Sequence, residues 1–414
     1  MKKMTTILVI ILLLGTMGSC RKQEETPDGL KNLPEKSAQL ISADNQFGLE
    51  LFRRVTEKAK PDENTMISPL SVALALSMTY NGAAGETKRE MEEALKLQGL
   101  TTDQINKAHQ ALVRALKSAD PDVLLEIANA IYHEQRMPVR EEFVTVNEEY
   151  YDAKVSGLDF SSPATLNTIN GWVNEKTRGK IPTILDQIDP DLRMVLLNAV
   201  YFNGIWKTKF DPKGTHKLPF LMGDGTSEEV ETMSLETALE YTSNDLFSGV
   251  HLPYGKGDYQ MTVFLPDRNK TTADLIAALD HEKWTAWMKD FRKEEKVVVS
   301  MPRFKFSWKM KLNEVLDDMG MKKAFQPYVA DFSGMTGFKD LFIGYVIHKT
   351  FVDVNENGTE AAAVTAVGMF TTSMPVDPPK KIYFTVDRPF LFTITEKSTG
   401  AILFIGEMNA PEYD

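Results

Sequence analysis

Between a strand-like run ending near Val354 and another beginning at Ile382 lie about 27 residues, well beyond the usual connection inside a compact domain. A loop of that length is expected to be disordered or functional, and its composition opposes disorder. From Thr359 to Met369 the only charged residue is Glu360, and the stretch ends in Val367, Met369 and Phe370. No amphipathic stripe favours a surface helix. Read with period two, Thr359, Ala361, Ala363, Thr365, Val367 and Met369 form one face, all small or apolar. Glu360, Ala362, Val364, Ala366 and Gly368 form the other. Gly358 lets the backbone change direction just before this strand-like segment. Its chain context leaves it as a loop, so the segment reads as one that can occupy two places.

The remainder predicts a mixed α+β chain. With 43% hydrophobic and 25% charged residues, a sizeable core can form. Helices dominate the first part: in "MISPLSVALALSMTYNGAAG", Ser68 is placed to cap, Pro69 suits the first helical position, and Val72 to Met78 reads as a buried helix. Thr87 and Glu90 match a capping box for the next helix. Further on, "VLLEIANAIYH", "RMVLLNAVYFNGIW", "YQMTVFLP" and "EKVVVSMPRFKFSW" read as strands, rich in Val, Ile and aromatic residues. The tail predicts a strand and then a hairpin turning at Ser398 to Gly400. No repeat or linker divides the chain after residue 36, so one domain over 37–414 is expected.

Several chemistries find no support. A net charge of -11 with interspersed basic residues argues against a nucleic-acid partner. The six histidines are scattered, without paired ligand spacing, so no metal or cofactor is expected. "GAAGETK" lacks phosphate-loop spacing and reads as a helix-helix turn, and G-x-S-x-G is absent. Nothing positive points to an enzyme.

"MKKMTTILVIILLLGTMGSC" combines two lysines, an apolar run from Ile7 to Leu14 and small residues before Cys20, the pattern of an export signal over 1–19. Cys20 is the single cysteine, which excludes an intramolecular disulfide. Its position resembles the lipobox of bacterial lipoproteins, whose lipidated first residue would be Cys20; the alternative is a secretory signal with an incidental cysteine. Residues 20–36 would form the lipidated end and a tether. The expected location is the bacterial cell envelope, lipid-anchored, at the surface or in the periplasm.

"NENGTEAAAVTA" resembles the hinge of the reactive-centre loop in inhibitory serpins, the serine protease inhibitor superfamily. "NTMISPLSVALALSMTYNGAAGET", "VLLNAVYFNGIWKTKFDP", "GMKKAFQPYVADFSGM" and "FTVDRPFLFTITEKSTGAILFIGEMNAP" resemble serpin segments in serpin order, from about Ser37 to Pro411. The resemblance implies three β-sheets, about nine helices and a reactive-centre loop over about 356–381. A target protease would cut the loop and form its acyl-enzyme. The N-terminal side of the loop would then insert into the main sheet as a strand of roughly 46 Å and carry the protease across the molecule before deacylation.

Counted from Gly358 as in family members, the scissile bond is Thr372-Ser373, with Met369, Phe370 and Thr371 as alternative cut positions. The hinge would comprise Glu356, Gly358, Thr359, Glu360, Ala361, Ala362, Ala363, Val364 and Thr365, with Val364 standing where alanine is usual. Ser68, Ser71, Asn198 and His348 match the polar cluster called the shutter. Trp206 matches the breach where insertion begins, and Arg303 pairs with Glu356. By themselves these residues also read as helix-start residues, satisfied buried polar groups, a core tryptophan and a weak surface pair. The implied partners are elastase-like, chymotrypsin-like and subtilisin-like endopeptidases, and papain-like ones as a further class, met by a monomer. No lysine or arginine lies in Gly368 to Pro375, which disfavours a trypsin-like target. The competing reading is a non-inhibitory serpin acting as a binding or chaperone-like protein.

Overall fold

The computed structural model describes residues 32–60, 62–189, 192–360 and 380–413. Cys20 and the loop positions Ala361, Ala362, Ala363, Val364, Thr365, Met369, Phe370, Thr371, Thr372 and Ser373 lie outside the described residues.

Helices come first, as expected. α1 (Ser37–Lys58) buries Leu40, Phe47, Leu51, Phe52 and Val55 along one stripe. α2 (Pro69–Tyr80) is buried at every position, which explains why its sequence carries no polar face. α3 (Gly85–Ala94), α4 (Thr102–Ser118), α5 (Glu141–Tyr151) and α6 (Pro163–Lys176) follow, interleaved with strands.

Two start signals behave differently from expectation. Ser68 has the extended backbone of a capping residue, but its side chain makes no capping bond. α3 starts beyond Ala84, before Thr87, so the predicted capping box does not form. Thr87 Oγ1 instead accepts the Asp331 N–H at 2.9 Å, and the Glu90 carboxylate accepts the Lys323 N–H at 2.6 Å. Tertiary tethering takes the side chains that a local reading assigns to the helix end. Among the described residues, capping boxes form at Thr101 with Gln104 on α4 and at Thr271 with Asp274 on α7 (Thr272–Ala278).

In chain order the strands are β1 (Thr65–Ile67), β2 (Val123–Glu134), β3 (Ala153–Leu158), β4 (Met194–Ile205), β5 (His216–Leu221) and β6 (Ser227–Ser243). Then come β7 (Phe247–Tyr254), β8 (Tyr259–Pro266), β9 (Arg292–Pro302), β10 (Phe304–Lys311), β11 (Tyr345–Asn355) and β12 (Gly358–Thr359). β13 (Ile382–Thr385), β14 (Phe390–Glu396) and β15 (Ile402–Met408) complete them, the last two as the predicted hairpin.

Among the described residues hydrogen bonding joins these strands into two sheets where three were expected. A six-stranded sheet runs β10-β11-β12-β4-β2-β3, and the other nine strands form one continuous ladder. The physical reason is β6: its N-terminal part pairs with β5 and its C-terminal part with β7, while β9 follows it along most of its length. A register shift between Thr237 and Leu239 bends the strand between the two regions that would otherwise be separate sheets.

The six-stranded sheet separates two apolar clusters. Leu196 and Phe202 face the main core with α2, whereas Val195, Leu197 and Ala199 face Ile169, Trp172 and Val173 of α6. That alternation makes β4 largely apolar on both faces, as expected of a covered strand, with Asn198 and Asn203 as its polar exceptions.

Candidate functional site: the seam between β4 and β11

β4 and β11 run parallel and pair directly at one end only, Tyr345 with Val195 and Val346 with Leu196. At the other end β12 sits between them, antiparallel to both: Thr359 opposes Val354 and Gly204, and Gly358 opposes Asn355 and Ile205. The described residues leave the β4-facing side of β11 without a ladder partner from Ile347 to Asp353. The sheet is thus wedged at one end by the two-residue β12. Among the described residues, the fold and this seam define a main sheet whose central parallel pair is held apart at one end by β12.

Gly358 is required by geometry. Its φ is +152°, and a Cβ there would meet Gly204 O at 2.1 Å and Ile205 Cα at 2.7 Å. Thr359 is 2% exposed, and its Oγ1 lies 2.5 Å from Tyr254 Oη. Glu360, the last residue described before the loop, has a left-handed φ of +61°. Its N–H donates to Asp353 O at 2.7 Å, its carbonyl accepts from Asn203 Nδ2, and its carboxylate pairs with Lys180 beyond α6. Burial pushes the Glu360 carboxyl above its usual range although the Lys180 ammonium pulls the other way.

The turn from β11 to β12 is held by several donors. Trp206 Nε1 donates to Asn355 O at 2.8 Å, the Trp206 N–H to Asn357 O at 2.9 Å, and the Phe210 N–H to Glu356 O at 3.1 Å. The Trp206 ring stacks on Tyr254 with centroids 4.4 Å apart. Glu356 accepts from Thr215 Oγ1 at 2.6 Å, and Arg303 Nη1 lies 3.8 Å from the same carboxylate oxygen. Glu356, Gly358, Thr359, Glu360, Trp206 and Arg303, singled out from scattered segments, therefore gather at one end of the seam.

The other four predicted residues lie farther along it, on two separate links. The Ser68 N–H donates to His348 Nε2 at 2.9 Å, and Ser71 Oγ donates to Asn198 Oδ1. Asn198 Nδ2 donates to Asn129 Oδ1 at 2.5 Å, and Asn129 Nδ2 to Tyr151 O at 2.8 Å. Asn198 belongs to β4 and His348 to β11, so the two links anchor opposite sides of the seam. Burial holds the His348 imidazole down to about 4, so it stays neutral near pH 7 and can accept the Ser68 N–H.

Tyr254, Asn129, Lys180 and Thr215 were not singled out from the sequence. Each lies in an ordinary strand or loop pattern, and only the tertiary fold brings it here. Among the described residues no group of three or more His, Cys, Asp or Glu is arranged to hold a metal ion.

The family model described as Serpin (serine protease inhibitor) matches residues 42–411. Leukocyte elastase inhibitor of Homo sapiens is 34% identical over 385 residues, covering 90% of this chain and 100% of the relative. The native state of Tengpin, a thermophilic serpin, superposes with TM-score 0.83 at 34% identity, covering 92% of this chain and 95% of that one. Its latent state gives 0.78 at 32% identity, covering 92% and 99%. Human thyroxine-binding globulin complexed with thyroxine gives 0.82 at 27% identity, covering 91% and 100%. The chain belongs to the serpin family.

Proposed function

We propose that this protein is an irreversible suicide-substrate inhibitor of serine endopeptidases, and of cysteine endopeptidases as a further class, rather than an enzyme. The observation that carries the reading is β12, already lodged between β4 and β11, with β11 beyond it left without a ladder partner on that side among the described residues. Extending its register would set Ala361 between Val352 and Phe202, Ala363 between Thr350 and Val200, and Thr365 between His348 and Asn198. Small side chains on that face meet a buried layer without overpacking it. Thr365 would supply one hydroxyl to the two polar anchors that face each other across the seam.

Cleavage at Thr372-Ser373 would free the N-terminal side of the loop to continue β12 down the seam with the acyl-enzyme attached. The inhibitory names among the relatives support this assignment. Thyroxine-binding globulin has a similar structure, so a non-inhibitory serpin acting as a binding or chaperone-like protein is the second reading. Lipidation at Cys20 would hold a monomer at the bacterial envelope, within reach of incoming proteases.

The test is incubation of residues 37–414 with elastase-like, chymotrypsin-like, subtilisin-like and papain-like proteases, followed by denaturing gels and intact mass. The expected result is a covalent complex and a released peptide beginning at Ser373. Clean cleavage with fully active protease across the panel would favour the non-inhibitory reading.

A further inference from the structure

A cavity of about 340 Å³ opens against the outer side of the hinge clamp. Trp206, Phe210 and Leu252, each no more than 3% exposed, supply apolar wall, and the exposed Lys293 and Lys397 stand at the rim. Lys293 makes no ion pair among the described residues; Lys397 lies 3.7 Å from Glu240, which also lines the cavity. The lining further includes His251, only 3% exposed and stacked on Phe291 at 3.7 Å. His251 Nδ1 bonds Thr262 Oγ1 at 2.9 Å, and its Nε2 has no protein partner among the described residues. Apolar walls, an imidazole nitrogen with no protein partner among the described residues and a cationic rim make a ligand site.

We propose that this cavity binds a monoanionic apolar molecule of the fatty-acid class, and that its occupancy stiffens the hinge. The volume lies at the small end of the roughly 300–1,000 Å³ range of ligand pockets, which suits a single chain more than a polycyclic body. Burial and the nearby Lys397 charge hold His251 down at about 3, so the imidazole meets the ligand uncharged. One carboxylate at the rim matches Lys293 and Lys397, while Glu240 opposes a polyanion.

The coupling follows from two residues that serve both places. Trp206 and Phe210 line the cavity, and their backbone N–H groups hold Asn357 O and Glu356 O in the turn that leads into β12. A ligand packed on those side chains restrains the amides that clamp the hinge. Binding itself does not depend on the inhibitory reading and is measured on the uncleaved chain.

The experiment titrates decanoate, below its micelle concentration, into residues 37–414 by calorimetry, with hydrogen exchange of the Trp206 and Phe210 amides followed in parallel. The proposal predicts saturable 1:1 binding and several-fold slower exchange at both amides. Lys293→Glu should weaken binding at least about tenfold, as reversal of a partly desolvated charge does. Ala238→Trp, at an exposed lining position, should block it, while Glu240→Gln should tighten it, a gain that misfolding cannot mimic. Thr285→Trp, in the neighbouring cavity between α1 and α8 (His281–Lys289), should change nothing. No saturable binding, or binding abolished by Thr285→Trp but not by Ala238→Trp, would overturn the site; binding without slower exchange would overturn the coupling.

Discussion

Replacing Thr359 by arginine tests whether β12 is the start of an inserting strand. Thr359 is 2% exposed, its hydroxyl meets Tyr254 Oη at 2.5 Å, and Gly204 and Val354 flank it on either side. An arginine there loses that hydrogen bond and buries a charge without a partner, a change worth about 3–5 kcal/mol. The intact protein can escape most of the cost by releasing two residues of β12 into solvent. An inserting loop cannot, because position 359 becomes enclosed by the strands following it. A barrier raised by only about 3 kcal/mol slows insertion roughly 150-fold. Deacylation then wins the race, and the variant becomes a substrate. The assay is the number of inhibitor molecules consumed per protease molecule inactivated, which should rise from near one to beyond about ten, with Thr359→Ser unchanged. A folded Thr359→Arg protein that inhibits with unaltered stoichiometry and rate would refute the reasoning.

The His348 anchor predicts a pH dependence. Its folded-state pKa is about 4 against the usual 6.5, so the unfolded chain binds the proton first and stability falls as pH drops through that window. Urea unfolding should show a loss of about 2 kcal/mol from this group between pH 6.5 and 5, and His348→Gln should flatten the slope by roughly half, since His251 contributes with the same sign. At the hinge, Lys180→Ala should destabilise more than Glu360→Gln: the first leaves a half-buried carboxylate unpaired, while the second removes the charge that burial opposes, and urea midpoints compare them. Asn129→Ala should cost about 2 kcal/mol in the same assay, because Asn198 Nδ2 and Tyr151 O both lose a buried partner.

Much of the molecule was legible before the fold was known, for identifiable reasons. β4 and β8 are covered on both faces, so their apolar runs announce them; α2 is buried all round and begins at a proline. Of the face that period two assigns to the inside of the loop, Thr359 alone is described, and it is buried. Thr87 and Glu90 misled because their spacing fits a helix cap while their side chains serve a contact more than 200 residues away in sequence. β6 was not singled out, since charged residues facing solvent dilute its pattern along both paired regions. Local sequence carries no mark of Tyr254 beneath Thr359, of Asn129 behind Asn198, or of Lys180 reaching Glu360. Such pairings arise only when β7, β2 and the segment after α6 are folded onto the seam.

The most direct measurement is the melting temperature of residues 37–414 before and after the loop is nicked by a protease that the protein does not trap. If the seam takes the freed segment as a full strand, the nicked protein must melt well above the intact one. An unchanged or lower melting temperature after complete cleavage at the loop would contradict the account.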